Sequence, residues 1–148
     1  MELNTKQKGN LTELECITAF YKLGYCVSIP YGENSRYDFI ADINGHLIKV
    51  QAKTASLKNK NPDAIGFSCR STRVNASGNF SRRYTEDEID FFVTYWENQC
   101  YLVPVKECSV SKTLRFKPPK NGQTSGISFA KDYELLKQIE KILEKDND

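Results

Sequence analysis

Residues 37–54, YDFIADINGHLIKVQAKT, decide the fold. At their centre stands Asn44-Gly45, the pair a two-residue type I′ turn favours, because both central positions need positive φ. Such a turn fixes the register of the flanking strands. Ile43 then faces His46, Ala41 faces Ile48 and Phe39 faces Val50, while Asp42 faces Leu47, Ile40 faces Lys49 and Asp38 faces Gln51. One face carries Phe39, Ala41, Ile43, Ile48 and Val50, with His46 at the turn, and must be buried. The other gathers Asp38, Lys49, Gln51 and Lys53, and an extended ladder sets Arg36 opposite Lys53. Opposed Cβ atoms lie about 5 Å apart. Asp38 and Gln51 can therefore offer two oxygens to one cation, and Lys53 projects from the same face.

Upstream, residues 11–23, LTELECITAFYKL, read as a helix that Asn10 or Thr12 can cap and Gly24 ends. On a helical wheel Glu13 falls among Leu14, Ile17, Phe20 and Tyr21, whereas Glu15 falls outside with Lys22. An inward carboxylate is costly without a partner, so Glu13 is a third candidate oxygen. Between helix and hairpin, 25–31 reads as a strand and 32–36 as a turn.

Downstream, the polar stretch 56–63 reads as a loop, 65–70 as a strand and 71–83 as a basic loop. Thr85 and Glu88 have capping-box spacing. FFVTYW (91–96) and CYLVPV (100–105) read as paired strands joined at Glu97-Asn98-Gln99, and 118–126 as a loop. Leu135, Leu136, Ile139, Ile142 and Leu143 form a helical stripe over about 131–144. Helix, several strands and closing helix predict an α/β or α+β sandwich.

The composition fits this reading. In 148 residues, 39% are hydrophobic and 27% charged, with a net charge of +2. No apolar run approaches the roughly 20 residues of a membrane span, and the N-terminus lacks a secretory apolar core, so cytoplasmic residence is expected. The five cysteines include no two separated by two residues, which excludes zinc-ribbon spacing and suits reduced, core-filling thiols. The single histidine, His46, excludes two-histidine ribonuclease chemistry. The charge is uneven: residues 49–83 hold eight bases against one acid, Asp63. Such asymmetry suits a polyanion. The Arg, Ser and Asn of the Arg70, Arg73, Arg82, Arg83 segment suit base edges and phosphates. Lys49, Lys58, Lys60 and Arg36 suit phosphates.

Asp38, a twelve-residue gap, Gln51-Ala52-Lys53 and an upstream helical glutamate resemble the PD-(D/E)XK nuclease superfamily. Within it, GNLTEL (9–14), RYDFI (36–40), VQAKTA (50–55), E-x-D (88–90) before FFVTY, and YLVPV (101–105) resemble the small group I intron homing endonucleases of the cyanobacterial tRNA-intron type. The resemblance covers about 1–105. It implies a restriction-endonuclease-like α/β fold, with a central mixed sheet flanked by helices. Residues 1–148 then form one nuclease domain, its core at about 9–105 and the C-terminal helix an oligomer contact. Asp38 stands at the metal-binding aspartate, Lys53 at the catalytic lysine and Glu13 at the helix glutamate. Gln51 replaces the usual Asp or Glu, the main-chain carbonyl of Ala52 is a further ligand, and Tyr37 stands at the proline of the family name.

The resemblance implies metal-dependent cleavage of double-stranded DNA at a long, near-palindromic site. Mg²⁺ is the expected cofactor, with Mn²⁺ as substitute and Ca²⁺ supporting binding without cleavage. One site cuts one strand, so a homo-oligomer is expected, at minimum a two-fold dimer. The resemblance suggests a tetramer, with the C-terminal helix and the FFVTYW strand as contacts. Rival readings on the same fold are a Holliday-junction resolvase, a restriction-type nuclease, and a DNA-binding protein inactivated by Gln51.

Overall fold

The computed structural model describes residues 1–145. Helix α1 (Thr5–Lys22) is capped by Asn4 through a reciprocal pair of hydrogen bonds. The Asn4 side chain accepts from the Gln7 N–H (2.9 Å), and the Gln7 side chain accepts from the Asn4 N–H (3.0 Å). The helix thus starts before the Asn10 or Thr12 cap the sequence suggests. Its first turns bury nothing, so the cap rather than hydrophobic periodicity marks its start. Gly24, at φ 91°, ends it.

Strand β1 (Cys26–Ser28) is shorter than expected. Strands β2 (Phe39–Ile43) and β3 (His46–Ala52) form the expected hairpin in the expected register, from Phe39↔Val50 to Ile43↔His46, with Asn44 and Gly45 at φ 52° and 99°. Phe39, Ala41, Ile43 and Val50 are fully buried.

The stretch 56–63 is a hairpin rather than a loop. Strand β4 (Ser56–Lys58) turns at Asn59-Lys60, both at positive φ, into β5 (Asn61–Ser68). All three β4 residues are exposed, so the strand carries no alternation to read. Residues 71–83 are likewise not a loop. Strands β6 (Arg70–Asn75) and β7 (Gly78–Arg83) make a two-stranded ribbon in register from Arg70↔Arg83 to Asn75↔Gly78. Thr85 and Glu88 close a single turn and start no helix.

Strands β8 (Phe91–Trp96) and β9 (Gln99–Pro104) meet at a two-residue turn, Glu97-Asn98, one residue tighter than expected. Strand β10 (Ser111–Arg115), with Leu114 fully buried, has no sequence counterpart in the expectations. After a 3₁₀ turn at Ala130–Tyr133, helix α2 (Leu135–Glu144) closes the described chain. Its stripe is not wholly inward: Leu135 and Ile139 are buried, and Leu136 is 59% exposed.

The main sheet runs β1-β2-β3-β8-β9, antiparallel except for the parallel β3–β8 pair. Both helices pack on one face, where Cys16, Phe20, Val50, Val93, Leu135 and Ile139 share a core. A second sheet, β10-β5-β4, covers the opposite face of β8–β9 through Ile65, Phe67, Phe92, Val103 and Leu114. The far face of the β2–β3 hairpin stays open, with Leu47 64% exposed. Strand β8 is paired on both sides, and Phe92, Val93 and Thr94 are buried. FFVTYW therefore belongs to the core and offers no edge to a second subunit. All five cysteines are free thiols, and only Cys26 is exposed.

Candidate active site

The ladder of β2 and β3 ends at Phe39↔Val50, and the chain diverges there. The Asp38 N–H donates to the Val50 carbonyl (2.8 Å), and the Asp38 carboxylate accepts from the Ala52 N–H (2.8 Å). Asp38 therefore does not sit squarely opposite Gln51. It slips by one residue, and its side chain replaces a missing backbone acceptor. The result fixes the carboxylate at the mouth of the hairpin, beside Gln51, Ala52 and Lys53. On its other side β3 continues toward β8, the Lys53 N–H donating to the Val93 carbonyl (2.9 Å). Arg36 lies outside the ladder and pairs with no β3 residue there.

Glu13 reaches this mouth from α1, but the wheel placed it too centrally. The buried positions are Thr12, Cys16 and Phe20; Leu14 and Tyr21 are 60% and 72% exposed. Small Thr12 and Cys16 lie closest to the sheet, and Glu13 sits on the shoulder, partly buried. The Thr12 and Thr54 hydroxyls lie 3.2 Å apart, tying α1 to the residue after Lys53. Glu15, expected in solvent, is partly covered.

Burial raises the Asp38 pKa, against the Ala52 N–H and the Lys53 ammonium, which lower it. Burial and then the Asp38 charge raise that of Glu13. Burial lowers that of Lys53, against the pull of Asp38. Among the described residues no three His, Cys, Asp or Glu side chains cluster. The donor set is instead two carboxyls plus the Gln51 amide and the Ala52 carbonyl, which the Gln51 amide nitrogen approaches at 3.4 Å. All-oxygen donors of this kind fit a hard divalent ion such as Mg²⁺.

Lys53 is held firmly. Its Nζ donates to the Arg70 carbonyl (2.9 Å) and lies 5.1 Å from the centre of the Tyr84 ring. Arg36, read as a phosphate contact, is engaged by the protein. It donates to Ser71 Oγ (2.8 Å) and the Arg83 carbonyl (3.0 Å), and pairs with Glu88 (2.9 Å). Lys49 is also occupied, its Nζ donating to the Asp87 carbonyl. Asp90, in the E-x-D motif, accepts from the Lys49 N–H (2.8 Å) and so buttresses β3 against β8.

The remaining bases belong to the β4–β5 turn and the ribbon. Lys58 and Lys60 are exposed at the β4–β5 turn, and Arg73 on the ribbon. Arg70 donates to Ser81 Oγ (3.1 Å), Arg82 to Glu88 (2.8 Å) and Arg83 to the Cys108 carbonyl (3.5 Å). Cross-strand pairing sets Ser71, Arg73, Asn75, Phe80 and Arg82 on one ribbon face, with Arg70, Thr72, Val74, Asn79, Ser81 and Arg83 on the other. Sequence reasoning missed Tyr84, Thr12 and Thr54 at this site. Glu88 stands out in the sequence by its capping spacing with Thr85 and by the E-x-D motif, but its ion pairs with Arg36 and Arg82 do not, since the pair with Arg36 joins segments far apart in the chain.

A central mixed sheet with two helices, and with an Asp, a Gln and a Lys at the mouth of its central hairpin, is a restriction-endonuclease-like arrangement. Residues 3–136 match the PD-(D/E)XK endonuclease family, and the chain belongs to it. Membership supports a DNA endonuclease, and enzymes of this family generally use divalent metal ions. Among solved structures the chain is similar to that of a bacterial homing endonuclease, I-Ssp6803I. Identity is 25%, coverage 98% of this chain and 97% of that one, and the TM-score 0.78. No curated protein matches the sequence.

Proposed function

We propose that the protein is a sequence-specific, Mg²⁺-dependent endonuclease of the intron-homing type, cutting both strands of a long, near-palindromic duplex site. The observation that carries this reading is the meeting of two burial-strained carboxyls, an amide, a main-chain carbonyl and a lysine at the mouth of one hairpin. Likeness to a homing endonuclease over nearly the whole of both chains supports the homing assignment.

In this reading Asp38 is the principal metal anchor, Gln51 and the Ala52 carbonyl are neutral ligands, and Glu13 is a further anion. When bound, the ion supplies a Lewis acid for the scissile phosphate and makes water a stronger nucleophile. Lys53 orients that water and offsets charge developing on the phosphate. The Ala52 N–H holds the Asp38 carboxylate in place. The ribbon, with four arginines and no acid over 70–83, is of a form that enters a major groove about 12 Å wide. Lys58 and Lys60 hold phosphates. Cutting both strands takes a homo-oligomer with two sites related by a two-fold axis.

The test selects cleaved duplexes from a randomised library, clones one into a supercoiled plasmid, and incubates it with Mg²⁺ or Ca²⁺. Linear product with Mg²⁺ and a bound, uncut plasmid with Ca²⁺ are expected. Lys53→Ala is expected to slow cleavage by about 100-fold or more, with DNA affinity nearly unchanged. Wild-type cleavage by Lys53→Ala, or binding without cleavage under every divalent ion, would overturn the mechanism.

A further inference from the structure

The ribbon joins the body at two roots, and both touch the candidate lysine. At the incoming root the Arg70 carbonyl accepts from Lys53 Nζ at 2.9 Å. At the outgoing root Tyr84, which follows the last ribbon residue, lies with its ring centre 5.1 Å from the same ammonium. That ring also sits 3.9 Å from Arg36 Cζ and meets Phe92 edge-on, at 5.3 Å and 87°. At the same root Ser71 Oγ accepts from Arg36 (2.8 Å). Glu88 closes the arrangement, pairing with Arg36 (2.9 Å) and Arg82 (2.8 Å) and accepting from the Thr85 N–H (3.1 Å).

Two cations held beside one ring repel each other. Their placement needs the negative face of the ring and the nearby carboxylate to offset that repulsion. Leucine could fill the space against Phe92 but would offer neither cation a π face. The ring therefore does more than pack, and what it holds is the lysine on one side of the reaction and the ribbon's anchor on the other.

We propose that Tyr84 is a positioning residue for the cleavage reaction. Its ring fixes the Lys53 ammonium relative to the ribbon roots, so that seating the ribbon on DNA sets where the lysine stands at the scissile phosphate. The inference rests on the nuclease reading above, and it predicts that recognition and cleavage are mechanically joined through one side chain.

The test compares Tyr84→Leu with Tyr84→Phe in the full chain, on a duplex that the wild-type protein has been shown to cut. Single-turnover rates are measured in Mg²⁺ with protein in excess, DNA affinity in Ca²⁺, and folding by thermal melting. Tyr84→Leu is expected to lose about tenfold or more in rate while its DNA affinity stays within about threefold. Tyr84→Phe, which keeps the ring and loses only the hydroxyl, is expected to recover the rate to within about threefold of wild type. If Tyr84→Leu loses its melting transition, Tyr84→Met supplies the same comparison against Tyr84→Phe. A wild-type rate in the ring-deleted protein, equal losses in both variants, or a rate loss matched by an equal affinity loss would each overturn the proposal. A wild-type chain that cuts no duplex overturns the nuclease reading and takes this inference with it, whereas a cutting wild type with an equally active Tyr84→Leu removes the inference alone.

Discussion

Gln51 is the residue at which the site departs from its family's usual charge. The amide oxygen can coordinate a hard cation but does not add to the field that attracts it. Its neutrality has a structural counterpart. Burial already pushes Asp38 and Glu13 toward their protonated forms, and Asp38 adds to the shift of Glu13. A third carboxylate at position 51 would add like-charge repulsion against Asp38 and Glu13. Gln51→Glu is thus expected to lower the melting temperature in EDTA and to lower the Mg²⁺ concentration that half-saturates cleavage. Melting curves with and without metal, beside a Mg²⁺ titration of the cleavage rate, read both effects. An unchanged metal requirement would show that position 51 does not contact the ion. Legibility at this scale was uneven. Asp38, Gln51 and Lys53 could be placed on one hairpin from the turn alone. The one-residue slip of Asp38 could not, because it depends on a side chain taking the place of a backbone acceptor.

At the scale of elements, the β2–β3 hairpin and the β6–β7 ribbon make an instructive pair. The hairpin has one buried face, so every second residue must be apolar and the register is written in the chain. The ribbon is wet on both faces beyond its root, so its sequence carries turn formers and bases but no alternation. For the same reason β4 read as a loop. Helix α1 was legible as a helix, yet its inward face was misjudged, since Thr12 and Cys16 rather than Leu14 and Tyr21 contact the sheet. The ribbon's form sharpens what its bases should do. Arg73 is exposed and directly opposite Phe80, away from the root where Arg36 and Glu88 engage Ser71 and Arg82. Arg73→Ala is expected to relax preference at a base pair, with a loss of about 1–3 kcal/mol on the selected site and little on random duplex. Lys58→Ala, at the β4–β5 turn, is expected to weaken both alike and to flatten the salt dependence by about one unit of slope. Binding isotherms on selected and random duplexes, at several salt concentrations, separate the two. Identical losses on both sequences for both variants would refute the division of labour.

The whole molecule keeps two carboxyls where burial opposes their ionisation, and that choice has a consequence for stability. Asp38 and Glu13 hold their protons more tightly folded than unfolded, so between the ordinary carboxylate range near pH 4 and their raised values the folded state binds more protons. Metal-free stability from these groups is therefore present at low pH and is lost as pH rises through that window. On the proposed nuclease reading a divalent ion is expected to reverse the loss, because it would bind the ionised folded site and not the unfolded chain. Asp38→Asn removes the buried charge and keeps an oxygen able to accept the Ala52 N–H. In EDTA at about pH 8, Asp38→Asn is expected to melt above the wild type, with the difference shrinking as pH falls toward about 4. Mg²⁺ is expected to raise the wild-type melting temperature and to leave the variant nearly unmoved, while cleavage by the variant is lost. Scanning calorimetry across that pH range, with and without Mg²⁺, measures all of this on one pair of proteins. An Asp38→Asn chain less stable than wild type at about pH 8 without metal would mean that the hydrogen bond from Ala52 to a full carboxylate outweighs the cost of burying it. In that case the hairpin mouth would be a structural brace first, with cation binding no longer needed to explain why an aspartate sits there.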